Sequence, residues 1–196
     1  MSQPDTVGAA EDVFTIVPEP VTAAAFAPFG EVLSLGDTEQ LPIDYYSGRN
    51  SIHGPVVLQC DETPEFIMFK VGLRGGEIRY LERHHGMTQT FIPLGGDPFV
   101  SVVAAPDVEL VDGFPDFRQV RAFLVPGDAV LNIHRGTWHE PPFPTREGQM
   151  FVLSSSPGVT KGLQTALDEH GEVHSLDVDK RSPVHRTGRR LQVVLP

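Results

Sequence analysis

The feature that most limits how this chain can fold is its punctuation. Among 196 residues, 18 prolines and 19 glycines interrupt the apolar segments before a long helix can develop. The segments themselves are short and rich in Val, Ile, Phe and Leu. They read "VVLQC" (56–60), "EFIMFKV" (65–71), "EIRYLERH" (77–84), "TQTFIPL" (88–94), "FVSVVAA" (99–105), "VRAFLV" (120–125), "AVLNIH" (129–134) and "MFVLSS" (150–155). Their spacing, with Gly, Pro or Asp clusters between them, predicts an all-β sandwich or barrel. Read as one strand, 77–84 puts Ile78, Tyr80 and Glu82 on one face and Arg79, Leu81 and Arg83 on the other. One short helix is expected in "VTAAAFAPFGEVL" (21–33), capped by Thr22 and stopped by Pro28 and Gly30.

The expected organisation is a flexible N-terminal arm (1–14), a single domain (15–158) and a peripheral C-terminal extension (159–196). The extension ends in a strand-like stretch that could pair with a sheet edge or with another subunit. A formal net charge of -11 argues against nucleic acid or an anionic membrane as partner, because all carry the same sign. It does not argue against a small anionic substrate, since a few local cations reverse the field inside a pocket. Cys60 has no second cysteine to pair with, and "MSQPDTVGAAEDVF" lacks the basic and apolar stretches of a signal peptide. With no apolar run near the roughly 18 residues a membrane span needs, a cytoplasmic location is expected.

The chemistry concentrates in two places. In "LERHHGMTQTFIPLGG", strand geometry places Glu82 and His84 on one face, with Gln89 on the next strand. Further along, "NIHRGTWHEPPF" gathers His134, Trp138 and His139 around a glycine turn. A lone strand histidine is more often a surface or hydrogen-bonded core residue than a functional one. Here a carboxylate, an amide and two imidazoles recur together, and two chemistries stay open. Glu82, His84, Gln89 and His139 could hold a divalent metal ion, or the same groups could run acid–base catalysis without metal. The modest ligand set slightly favours the second. His53, Cys60, Asp128, His170, His174 and His185 receive no chemical role.

The spacing resembles the cupin family, whose small β-barrels carry two motifs. Gly76-x5-Glu82-x-His84-x4-Gln89-x6-Gly96 reproduces the first, with Glu82 where a histidine usually stands. His134-Arg135-Gly136-Thr137-Trp138-His139 has the offsets of the second, with His134 where proline is usual. The finer wording of "LERHHGMTQTFIPLGGDPFVSVVA" and "RAFLVPGDAVLNIHRGTWHEPPF" is similar to the ureidoglycolate lyase family, over roughly residues 15 to 155. The chain departs from that pattern at His85, where proline is common, and at Glu140, where histidine is common.

The resemblance implies a cupin-type β-barrel, a jelly-roll-like sandwich with a few short helices, assembled as a homodimer. It implies cleavage of ureidoglycolate to glyoxylate and urea, a carbon–nitrogen lyase reaction of purine degradation. In that reading His84 and His139 carry the acid–base roles, with Glu82 orienting an imidazole or acting as base. Gln89, Trp138 and His134 would line the substrate. A bidentate arginine is the expected partner of its carboxylate, and Arg135 and Arg121 are the candidates; alternation puts Arg83 opposite His84. The alternatives are a lyase or hydrolase for another small 2-hydroxy or 2-amino acid adduct, and a non-catalytic cupin that binds small acids.

Overall fold

A computed structural model describes residues 12–196. The expected arm therefore lies outside the described residues as far as residue 11, and Val13–Ile16 already form a strand. The architecture is the all-β sandwich that the punctuation predicts. A five-stranded sheet runs in the order Gly30–Leu33, Val130–Ile133, Gln89–Leu94, Gln149–Ser155, Glu65–Val71. Against it packs an eight-stranded sheet with Leu81–His84, Trp138–His139, Gly96–Ala104 and Arg121–Gly127 at its centre.

Between the sheets lies an apolar core that includes Phe91, Leu131 and Phe151 from the first and Phe99, Val103 and Phe123 from the second. The eight-stranded sheet is covered on its other face as well. There Val100, Val102, Ala104 and Trp138 meet Phe114, Phe117, Leu191 and Val193 in a second core. Burial on both faces explains why the stretch from Phe99 to Ala104 is nearly all apolar instead of alternating. Val13–Ile16, Arg190–Val193 and Glu77–Ile78 form the three-stranded sheet that contributes to this outer layer.

The short helix appears at Ala23–Phe26, with the Thr22 hydroxyl accepting the Ala25 N–H and Phe26 fully buried. Two strand expectations are corrected. The stretch 56–60 is irregular apart from one bridge from Cys60 to Met87, and Val57 and Leu58 are exposed. It crosses a strand end, where the Thr88 N–H donates to the Gln59 carbonyl and Asn132 donates to that of Val57. The stretch 77–84 is two strands, because Ile78 and Leu81 both enter the outer core and the chain must turn between them.

The segment after residue 159 is woven into the eight-stranded sheet. Val178–Arg181 pairs antiparallel with Leu81–His84, with Val178 opposite His84 and Lys180 opposite Glu82. Asp179, almost fully buried on the outer face, receives Arg83 and Arg181, and both guanidiniums stack on Trp138. A helix at Pro157–Thr165 begins at the Ser156 cap, with proline in its first turn. That Ser-Pro pair is a helix-start signal readable in the sequence. Among the described residues no helix is long and apolar enough to cross a membrane.

Candidate active site

Glu82 and His84 lie two residues apart on one strand and so share a face. His139 is paired directly opposite Glu82 on the neighbouring strand and projects the same way, toward the space between the sheets. The turn before His139 is docked on the strand that carries His84. Gly136, at φ 77°, donates its N–H to the His84 carbonyl at 2.8 Å, and His134 donates its own to that of Phe29. A residue with a Cβ would be strained at that φ and would press on Pro106. The single-histidine motif thus becomes geometry: the glycine turn delivers His139 beside the Glu-x-His strand.

The three side chains converge tightly. One ligand atom from each of Glu82, His84 and His139 lies within 4.8 Å of the others, and no other such trio occurs among the described residues. The Nε2 atoms of His84 and His139 stand 3.8 Å and 3.7 Å from Glu82 Oε1. His139 Nδ1 is 3.0 Å from the Thr137 carbonyl. A carbonyl only accepts, so Nδ1 carries the proton and Nε2 presents a lone pair toward Glu82. That nitrogen, and both ring nitrogens of His84, are buried without a hydrogen-bond partner.

Burial sets the charges. It pushes the Glu82 carboxyl up to about 7, against the opposing pull of Lys180. It pushes the His139 imidazole down to about 4, although the Thr137 carbonyl favours the protonated ring. His84 lies well below the usual histidine range, by burial first and by its neighbour His139 second; the Gln89 amide opposes the shift. At neutral pH the cluster is therefore two neutral imidazoles around a carboxyl poised between its two states.

Beside it opens a cavity of about 320 Å³, with Glu82 and Gln89 at its polar end and Phe91, Leu153 and Leu163 among its apolar walls. His84 and His139 do not line it; they are buried beneath Glu82. A second cavity of similar size, between Phe14, Phe117 and Arg189, holds none of these groups.

Several expected site residues lie elsewhere. Trp138 projects to the opposite face from His139 and is fully buried in the outer core under Arg83. Arg121 pairs with Glu19, and Arg135 chelates Asp61 at 2.8 Å and 3.1 Å, so both are engaged outside the cavity. His134 is half-buried in the glycine turn and is absent from the cavity wall. Two cations that the sequence reading passed over stand closer. Lys180 lies across from Glu82, stacked on Tyr80. Arg74 binds Glu140 at 2.7 Å and the carbonyl of Pro141, which lines the cavity. Burial holds Glu140 up to about 7 despite that guanidinium.

The donor set fits a divalent cation. An Nδ1–H anchored on a backbone carbonyl, with a bare Nε2 facing a carboxylate, is the arrangement by which proteins aim a metal-binding imidazole. Glu82, His84 and His139 would supply one oxygen and two nitrogens, suited to a first-row ion.

Comparison with known proteins finds one family and several named relatives. The ureidoglycolate lyase family profile matches residues 13–174. A ureidoglycolate lyase of Azotobacter vinelandii is 33% identical over 157 residues, covering 78% of this chain and 89% of the relative. One from Pseudomonas fluorescens is 32% identical over 161 residues, covering 80% and 90%. Another, from Pseudomonas aeruginosa, is 34% identical over 151 residues, covering 74% and 85%. With the two motifs brought together in one buried cluster and the family profile spanning most of the chain, this protein belongs to the ureidoglycolate lyase family.

Proposed function

We propose that this enzyme cleaves ureidoglycolate to glyoxylate and urea. The observation that carries the reading is Glu82, a carboxyl raised to about 7, facing a cavity with two neutral imidazoles behind it. Ureidoglycolate bears a hydroxyl, a carboxylate and a ureido nitrogen on one carbon. Taking the hydroxyl proton lets the carbonyl form as the C–N bond breaks, and the departing nitrogen must gain a proton, because a urea anion is a poor leaving group. No water is consumed.

Glu82 is the member of the cluster that reaches the cavity, so it takes the hydroxyl proton and returns one to the nitrogen. A group whose pKa lies near the working pH can do both. His84 and His139 act through it, since their unpartnered nitrogens can accept a hydrogen bond from its protonated form and hold its orientation. Gln89 offers an amide hydrogen bond to the ureido group, and Lys180 supplies the positive potential that draws the substrate carboxylate. If a divalent ion occupies Glu82, His84 and His139, it supplies Lewis-acid polarisation of the substrate oxygen.

Glyoxylate release from ureidoglycolate is the direct assay. Glu82→Gln, His84→Ala and His139→Ala should each slow it by roughly a hundredfold or more while circular dichroism shows the sheet content retained. Near-normal turnover in all three would end this assignment, and assay after chelation reads the need for metal.

We further propose a cytoplasmic homodimer, in keeping with the single cysteine and an edge strand, Glu65–Val71, on which Phe66, Ile67 and Met68 are exposed. A monomer in sedimentation at micromolar concentration would refute the dimer.

A further inference from the structure

The second cavity, of about 330 Å³, belongs to the outer layer, on the other side of the eight-stranded sheet from the Glu82 cluster. Remote parts of the chain build it: the strand Val13–Ile16, the turn after Leu110–Val111, the single helical turn Phe117–Gln119 and the end of the helix Pro183–Thr187. Thr187 and Arg189 stand beyond residues 13–174, so sequence outside the family profile completes the cavity. Its chemistry is that of two half-used guanidiniums beside an aromatic wall. Arg118 spends its Nε and Nη2 edge on Asp116, at 3.1 Å and 2.7 Å. Arg189 turns the same edge to Asp12, with Nε at 2.7 Å and Nη2 at 3.3 Å from its oxygens. In both, Nη1 keeps its two N–H groups without a partner among the described residues. A carboxylate on one edge holds the fork in place, so the free edge is oriented before a ligand arrives. Phe14 and Phe117 meet edge to face with centroids 5.8 Å apart, and the Arg189 guanidinium lies 5.3 Å over the Phe117 ring.

We propose that this outer cavity binds a monocarboxylate with a planar aromatic body. The carboxylate accepts from the free Nη1 groups of Arg118 and Arg189, where charge-assisted bonds are strong. The ring lies against Phe14 and Phe117, which offer an edge and a face to it. A dianion such as a phosphate ester suits the cavity less. Asp112 lines it and Glu109 acts on Arg118, so negative charge already stands at the rim. An acid as small as acetate would leave the aromatic wall wet. At about 330 Å³, roughly ten times a water's share of liquid volume, the space admits a bicyclic ring. No bond is made or broken there, and the site is independent of the chemistry at Glu82.

The test titrates 2-naphthoate into the full chain, followed by calorimetry and by amide NMR shifts. A Kd of about 1 mM or tighter is expected, ordinary for a ligand of about 13 non-hydrogen atoms. The shifts should fall at Phe14, Phe117 and Thr187. Arg118→Ala, at an exposed position, should weaken binding about tenfold while circular dichroism shows the sheet content retained. Naphthalen-2-ylmethanol keeps the rings without the charge, and acetate keeps the charge without the rings. Each should bind at least about tenfold more weakly than 2-naphthoate. Shifts at Phe91 and Leu163 instead would place the ligand in the cavity beside Glu82 and overturn the proposal. So would a titration that fails to saturate, or an Arg118→Ala variant that binds as tightly as wild type.

Discussion

Trp138 and His139 are neighbours in sequence and both almost fully buried, yet they belong to different parts of the molecule. Trp138 faces the outer core, where Arg83, Arg181 and Asp179 close over it. His139 faces the intersheet space, where it stands beside Glu82 and His84 with an unpartnered nitrogen. The outer layer gathers its buried charges around one carboxylate, with Arg83 and Arg181 on Asp179, and leaves only Arg83 Nε and Trp138 Nε1 of that group without a partner. The inner cluster leaves its polar atoms open. Satisfied groups stabilise, and open ones are available for chemistry.

Substitution at these two adjacent positions should separate the layers most sharply. Trp138→Ala should destabilise the fold by about 3–5 kcal/mol, read in urea denaturation, because it empties a large buried volume. His139→Ala should abolish glyoxylate release while leaving the denaturation midpoint much closer to wild type. Equal loss of stability in both would dissolve the contrast.

Asp179→Ala comes next. It strands two partly buried guanidiniums, at an expected cost of about 3 kcal/mol. Burial alone would raise the Asp179 carboxyl, but Arg181 and Arg83 outweigh it and hold the group below the usual carboxylate range. Its contribution is therefore present above the ordinary aspartate pKa of about 3.9 and lost as pH falls through the lower folded value. The wild type should lose more stability than the variant when denaturation is compared at pH 7 and pH 3.

The inner carboxyl titrates with the opposite sign. Glu82 ionises near about 4.3 in an unfolded chain and at about 7 in the fold. The folded state keeps the proton between those values, so the stabilising contribution is full below the lower one and vanishes as pH rises through the upper. Glu82→Gln should thus be more stable relative to wild type at pH 8 than at pH 5, while its turnover is lost. A difference that does not change with pH would show that Glu82 titrates normally.

The smallest effect is expected in the exposed turn before Val178, where Leu176 is 92% exposed and Leu176→Ser should change stability by no more than about 0.5 kcal/mol.

Much of the fold was legible because strands announce themselves through composition and breakers. The segment 65–71 appears as Glu65–Val71, and the Thr22 cap appears as read. The apolar run at 56–60 misled because apolar character does not supply a partner strand. The extension from 159 onward looked peripheral because its polar residues are ion-pair partners, as Asp179 is, and a pair is invisible until both members are in place. Arg121 and Arg135 were reasonable carboxylate anchors by residue type, but Glu19 and Asp61, distant in sequence, had already claimed them.

By itself the sequence determined the all-β class, the Glu82–His84 face and the pairing of two motifs, since alternation and spacing are local properties of the chain. Only the tertiary structure decided that Glu82 alone of the three reaches the cavity, that Trp138 turns away from it, and that apolar walls surround a polar reaction centre. Those outcomes depend on which elements pack over which face, and packing partners come from remote parts of the chain.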